Sequence, residues 1–198
     1  MKIVIIKYNA GNIRSVDNAL KRLGVEASIT SDFEEISSAD KVIFPGVGEA
    51  ANTMNYLKEN KLNELIVCLK QPVLGICLGL QLMCKHSEEG DTTCLGIFDE
   101  LVKQFDPSLV TERIKVPHMG WNQISNLKSG IFDSSMEDEF VYFVHSYYAS
   151  MGAHTIATTN YLLPFSAGLH RDNFYATQFH PEKSGSIGSR ILENFLKI

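Results

Sequence analysis

Four short apolar runs rich in β-branched residues, each followed closely by a helical pattern, constrain the first ninety residues more than any other feature. Residues 2–7 (KIVIIK) form a near-continuous apolar run, as expected of a strand covered on both faces. Over 12–23, Ile13, Val16, Ala19, Leu20 and Leu23 recur at helical spacing, and Gly24 supplies a C-terminal stop. Residues 25–30 read as a second strand, 31–36 as a short capped helix and 41–44 (KVIF) as a third strand broken by Pro45-Gly46. Residues 49–69 read as one or two amphipathic helices, 72–76 as a fourth strand and 78–86 as a helix beginning directly after it. Alternation at this spacing predicts βαβ units around a parallel sheet. After Gly90, strand-like runs at 140–144, 155–159 and 174–179 stand between polar turns, and 184–196 reads as a closing helix. They predict antiparallel additions to the same sheet, within one α/β domain spanning 1–198.

A chain of 198 residues, 44% of them apolar, is long enough for one sizeable core. Its net charge of −5, with Lys and Arg scattered, argues against a nucleic-acid footprint. No apolar run approaches a membrane span, and the opening run stops at Lys7 without a cleavage pattern, so no leader is expected. Cys68, Cys77, Cys84 and Cys94 sit in apolar or helical contexts. They read as reduced thiols of a cytoplasmic protein rather than a disulfide framework.

The sharpest chemical signal is Gly75-Ile76-Cys77-Leu78-Gly79, where the fourth strand meets a helix. A tight strand-to-helix turn needs small residues on either side of its nucleophile. A thiol there faces unpaired N–H groups and the positive end of the helix dipole, and the Leu78 N–H points where an oxyanion would form. A small buried hydrophobe is the competing reading of Cys77. A cysteine nucleophile needs a base held by a third group. His180, in Gln178-Phe179-His180-Pro181-Glu182-Lys183, ends an apolar strand with Glu182 two residues on, so extended backbone sends both side chains the same way. His145, in Val144-His145-Ser146-Tyr147, is the competing base but lacks a flanking carboxylate and ranks as a pocket residue. His118, in Pro117-His118-Met119-Gly120-Trp121-Asn122, reads as part of a loop that carries exposed aromatics towards a partner, whereas His86, His154 and His170 read as exposed. No C-x2-C or H-x3-H spacing occurs, so no metal is expected. Gly46-Val47-Gly48 lacks the remainder of a phosphate loop, but after strand three it would lie beside the Cys77 turn, at the carboxyl ends of parallel strands where ligands bind.

With these motifs in this order, the chain resembles the class I (triad) glutamine amidotransferases. Within them it is similar to the glutaminase subunits of imidazole glycerol phosphate synthases. Further matches are Tyr8-Asn9-Ala10-Gly11-Asn12 with Arg14-Ser15-Val16, Ser87-Glu88-Glu89-Gly90, the Pro117–Asn122 block, and Tyr142-Phe143-Val144-His145-Ser146-Tyr147. Lys7 departs from the acidic residue that many relatives carry there. The resemblance implies a three-layer flavodoxin-like fold with a mostly parallel central sheet and antiparallel additions in the C-terminal half. It implies that Cys77 attacks the glutamine carboxamide to give a glutamyl thioester, that His180 moves the protons and that Glu182 holds His180. Leu78 and the Gly46–Val47 region would supply the oxyanion N–H groups, with the loop reoriented by a partner. Gln81, Gly48, Glu89, Ser146 and Tyr147 would grip the substrate. No cofactor is implied. The implied partner is a (β/α)8-barrel cyclase, docked on His118, Trp121 and Tyr142 to form a heterodimer and receiving ammonia for histidine biosynthesis. Glutaminases serving pyridoxal phosphate or anthranilate synthesis, an unrelated cysteine hydrolase or isomerase, and a non-catalytic scaffold are the alternatives.

Overall fold

The computed structural model describes residues 1–8, 12–109, 114–128 and 130–198. Its frame is a seven-stranded sheet in the order β11-β12-β13-β4-β3-β1-β2. The strands are β1 (Ile3–Ile6), β2 (Ala27–Thr30), β3 (Lys41–Gly46), β4 (Val73–Cys77), β11 (Thr155–Tyr161), β12 (Leu163–Arg171) and β13 (Phe174–Thr177). From β2 through β1, β3 and β4 to β13 all neighbours are parallel. That is the doubly wound 2-1-3-4-5 order of flavodoxin-like sheets. β12 and β11 are added antiparallel at the β13 edge.

Alternation within the buried strands divides the core in two. Val4, Ile6, Val42 and Phe44 pack with α3 (Ala50–Glu59), α4 (Leu62–Cys68) and α5 (Leu78–Met83) on one face. Ile3, Ile5, Ile43, Leu74 and Ile76 pack on the other with Val16, Ala19 and Leu20 of α1 (Ile13–Arg22) and Ile191, Leu192 and Phe195 of α6 (Gly185–Lys197). A short α2 (Phe33–Ser37), capped by the Asp32 side chain accepting from the Glu35 N–H, adds Ile36 to the first face. Three layers result, with no helix among the described residues long and apolar enough to cross a membrane.

Several boundaries differ from expectation for identifiable reasons. β3 runs through Pro45-Gly46 instead of breaking there. Its pairing with β1 ends at Ile43 while pairing with β4 continues to Gly46, so the missing Pro45 N–H falls beyond the β1 ladder. Residues 49–69 form two helices, as one of the expected arrangements had it, divided at Lys61, which adopts φ 55°. The helix after Cys77 stops at Met83, and the chain turns into β5 (His86–Ser87). β5 joins β6 (Thr92–Thr93), β7 (Leu101–Gln104) and β10 (Tyr147–Ala149) in a separate four-stranded sheet. β9 (Phe140–His145) pairs with β8 (His118–Gln123) as a two-stranded ribbon rather than joining the main sheet. β13 is parallel to its neighbour β4, so only β11 and β12 are antiparallel additions to that sheet.

Candidate active site

Cys77 ends β4 and caps α5 with φ 54° and ψ −105°, a conformation that costs a non-glycine residue about 1–3 kcal/mol. The flanking glycines are required by packing. A Cβ on Gly79 would run into the Phe44 carbonyl oxygen, and one on Gly75 would lie 2.8 Å from the Met83 sulfur and 3.1 Å from the Gly79 backbone. Gly46 pairs with Cys77 across the β3–β4 ladder, and a Cβ there would meet the Tyr8 hydroxyl and Leu78. The Tyr8 hydroxyl donates to the Pro45 carbonyl, so the glycine loop starts from a held peptide. Leu78 opens α5, whose first N–H groups have no partner within the helix.

His180 is fully buried just after β13. Its N–H donates to the Tyr142 carbonyl at 2.9 Å and its carbonyl accepts the Ser184 hydroxyl at 2.7 Å. Its Nδ1 lies 2.7 Å from Glu182 Oε1. Strand alternation does not produce this pairing: residues Pro181–Lys183 form a 3-10 turn that folds Glu182 back onto the ring. Because Nδ1 faces a carboxylate, it carries the proton, and Nε2 is unpartnered among the described residues. Burial pushes the imidazole down. Cys77 and Glu182 together more than offset this and raise it to about 10. His180 is therefore held as the imidazolium beside the Cys77 sulfur.

His145 cannot serve the same role, because both its nitrogens are engaged. Nδ1 lies 2.7 Å from the Tyr147 carbonyl and Nε2 lies 3.0 Å from His118 Nδ1. Burial, opposed by the Tyr147 carbonyl, holds it neutral, pushed down to about 3.

A cleft of about 290 Å³ opens over Cys77, at the small end of the range for ligand sites. Val47, Gly48, Leu78, Gln81, Glu89, Ser146 and Tyr147 line it together with Val144 and His145. Gly46 is not in its wall but lies beneath, against Tyr8 and Leu78. Gln81 Nε2 donates to the Tyr147 carbonyl at 2.9 Å and to Gln178 Oε1 at 3.1 Å, and Glu89 accepts the Ala50 N–H at 2.8 Å. Burial raises the Glu89 carboxyl.

Among the residues expected at a docking surface, Trp121 is 55% exposed and stands edge-on to Tyr142 at 6.0 Å. His118 does not belong with them. It is 3% exposed, stacked between Phe143 and Tyr161, because β8 alternates and sends His118 inward while Met119 and Trp121 face out. His154 is also not an exposed residue, since its ring Nδ1 sits 3.0 Å from the buried Glu100. Cys68, Cys77, Cys84 and Cys94 are free thiols, and no metal-binding group occurs among the described residues. Asn9, Ala10 and Gly11 of the opening motif lie outside the described residues.

Three contacts were not foreseen. Gln178 Nε2 donates to the Cys77 sulfur at 3.8 Å, the Ser184 hydroxyl secures the His180 backbone, and Asn12 Nδ2 donates to Glu182 Oε1. Gln178 was recoverable, since it stands two residues before His180. Asn12 closes the matched opening motif but stands 168 positions from His180, so no spacing ties it to the pair.

Residues 4–198 match the family model for glutamine amidotransferase class-I. The chain is 66% identical over 198 residues to imidazole glycerol phosphate synthase subunit HisH of Bacteroides fragilis, with full coverage of both. It is 41% identical over 200 residues to the protein of that name from Escherichia coli, again with full coverage of both. Among solved structures, a putative GMP synthase protein from Thermoplasma acidophilum superposes with TM-score 0.73 at 21% identity, over 100% of this chain and 93% of that one. At that identity the likeness concerns the fold alone.

Proposed function

The chain belongs to the class I glutamine amidotransferases, and from that premise we propose that it is the glutaminase subunit of an imidazole glycerol phosphate synthase, working as one domain over 1–198. Glutamine enters the cleft with its carboxamide over Cys77. The thiolate attacks the amide carbon, and the oxyanion is held by the Leu78 N–H and by an N–H of the Gly46–Val47 loop. His180 delivers its Nε2 proton to the departing nitrogen, which releases ammonia and leaves a glutamyl thioester. Water, deprotonated by the now neutral Nε2, attacks the thioester and releases glutamate and the Cys77 thiolate. Glu182 keeps Nδ1 protonated throughout, and proton transfer of this kind contributes about 10²–10⁴-fold. Gln81, Glu89, Ser146, Tyr147 and Gly48 surround the substrate's own amino and carboxylate groups.

The observation that carries this reading is the His180–Glu182 pair, with Nδ1 committed and Nε2 free beside a strained cysteine at the foot of the cleft. The ammonia goes to a (β/α)8-barrel cyclase in the cytoplasm, docked on the face that carries Trp121 and Tyr142, for histidine biosynthesis. The test is glutamate release from glutamine by the purified chain, alone and with a cyclase subunit plus its nucleotide ligand, beside Cys77→Ala. Release that needs the liganded cyclase and vanishes in Cys77→Ala is expected. Release indifferent to the cyclase would reassign the partner, and no release under any condition would overturn the enzymatic reading.

A further inference from the structure

Asn12 stands at the N-cap of α1, where an asparagine ordinarily adopts extended backbone and turns its side-chain oxygen onto a free helical N–H. Here it does neither. Its backbone is left-handed, φ 74° and ψ −3°, and its side chain makes no capping bond, although its carbonyl still accepts the N–H groups of Ser15 and Val16. The carboxamide is instead spent across the molecule: Nδ2 donates to Glu182 Oε1 and lies 3.3 Å from His180 Nδ1. Two donors, the Asn12 amide and the His180 Nδ1–H, thereby converge on one oxygen of a carboxylate whose side chain is wholly buried. A forgone cap and a left-handed backbone at a non-glycine residue are the kind of local cost retained where a contact elsewhere requires it.

We infer that Asn12 is a positioning residue of the glutaminase site. Its carboxamide holds Glu182 Oε1 against His180 Nδ1, so that the ring presents Nε2 to Cys77. The inference rests on the preceding reading that His180 and Glu182 serve Cys77. Asn12 touches neither the sulfur nor the cleft, so it acts only through this pair. A donor is needed here. An aspartate has the same size and caps helices as well as asparagine does, but it can only accept, and it would set a second carboxylate beside Glu182.

The test pairs Asn12→Asp with Asn12→Gly, the glycine being free to keep the left-handed backbone. For each variant in complex with the liganded cyclase, kcat and KM for glutamine are measured. Separately, the rate at which iodoacetamide alkylates Cys77 is followed against pH in the chain alone. Expected is a fall in kcat of roughly 10- to 100-fold in both variants, part of what acid–base catalysis supplies, with KM within about twofold. The alkylation profile of Cys77 should move to higher pH in both. A purely structural cap predicts otherwise: Asn12→Asp would match the parent in kcat and in alkylation profile, and that result would overturn the inference. Because alkylation needs no turnover, the profile still decides the role of Asn12 if the parent chain releases no glutamate. In that outcome the glutaminase reading falls on its own.

Discussion

His145 Nδ1 lies 2.7 Å from the carbonyl oxygen of Tyr147, and this contact sets the protons on two buried histidines. A carbonyl only accepts, so Nδ1 carries the proton and Nε2 accepts. His118 Nδ1, 3.0 Å away, must therefore donate, and His118 Nε2 accepts from the Asn122 amide at 3.3 Å. The result is a one-way chain of neutral groups from β8 to the wall of the cleft. Replacing His145 by Phe leaves the His118 N–H unpaired, while the Tyr147 carbonyl keeps the Gln81 amide. The expected loss is about 1–3 kcal/mol of stability by urea denaturation, from one buried donor left unpaired. Alkylation of Cys77 should keep its pH profile in this variant and lose it in His180→Ala. Equal losses in both would make His145 a second base.

The same protons give stability a pH optimum with two separate causes. Burial depresses His118 to about 4 and His145 to about 3, below the 6.5 of a free imidazole. As pH falls below about 6.5 the unfolded chain takes up protons that the folded chain refuses, so stability declines from there towards pH 3. His180 has the opposite sign. Lowered by burial but raised on balance to about 10 by Cys77 and Glu182, it contributes stability that is complete below about 6.5 and lost as pH rises through 10. Urea midpoints between pH 4 and 10 should show the acid loss reduced in His145→Phe and the alkaline loss reduced in Cys77→Ala. An alkaline limb unchanged by Cys77→Ala would mean that Cys77 does not hold the imidazolium.

How much of this was legible in the sequence depended on whether the cause was local. The strands at 3–6, 41–46 and 73–77 are apolar on both faces, and the glycines around Cys77 announce a turn that admits no Cβ. The His180–Glu182 pair was visible as a spacing, although a 3-10 turn rather than strand alternation brings it together. Short pairings such as His86–Ser87 with Thr92–Thr93 have no hydrophobic period to read. The burial of His118 depended on which face of β8 meets Phe143 and Tyr161, and the Asn12–Glu182 contact on two distant segments meeting.

The ribbon of β8 and β9 presents one outward face. Its register sets Trp121 opposite Tyr142 and Gln123 opposite Phe140, with Met119 63% and Phe140 50% exposed. Lys183 places its ammonium 5.9 Å from the Tyr142 ring, so the patch adjoins the turn that holds Glu182. A large exposed aromatic of this kind is the usual energetic centre of an interface. Trp121→Ala should weaken cyclase binding by about 2 kcal/mol, roughly 30-fold in Kd by calorimetry, without shifting the melting temperature of the free chain. An unchanged Kd would move the docking face off this ribbon.

The Cys77 turn depends on how closely α5 approaches β3, and this can be separated from backbone strain by comparing two glycines. Gly24 has φ 74° with open space around it, so Gly24→Ala bears only the left-handed penalty, about 1–2 kcal/mol. Gly79 is helical, but its Cβ would strike the Phe44 carbonyl, and Phe44 lies fully buried in an interior strand that cannot retreat. Gly79→Ala should therefore cost more, about 3 kcal/mol or above by urea denaturation, since α5 must lift from the sheet and take the Leu78 N–H with it. In whatever fraction stays folded, glutamate release should fall with little change in KM, because the oxyanion donor moves while most of the cleft wall stays in place. A Gly79→Ala variant no less stable than Gly24→Ala would show that the helix does not need this approach, and the two flanking glycines would lose their structural explanation.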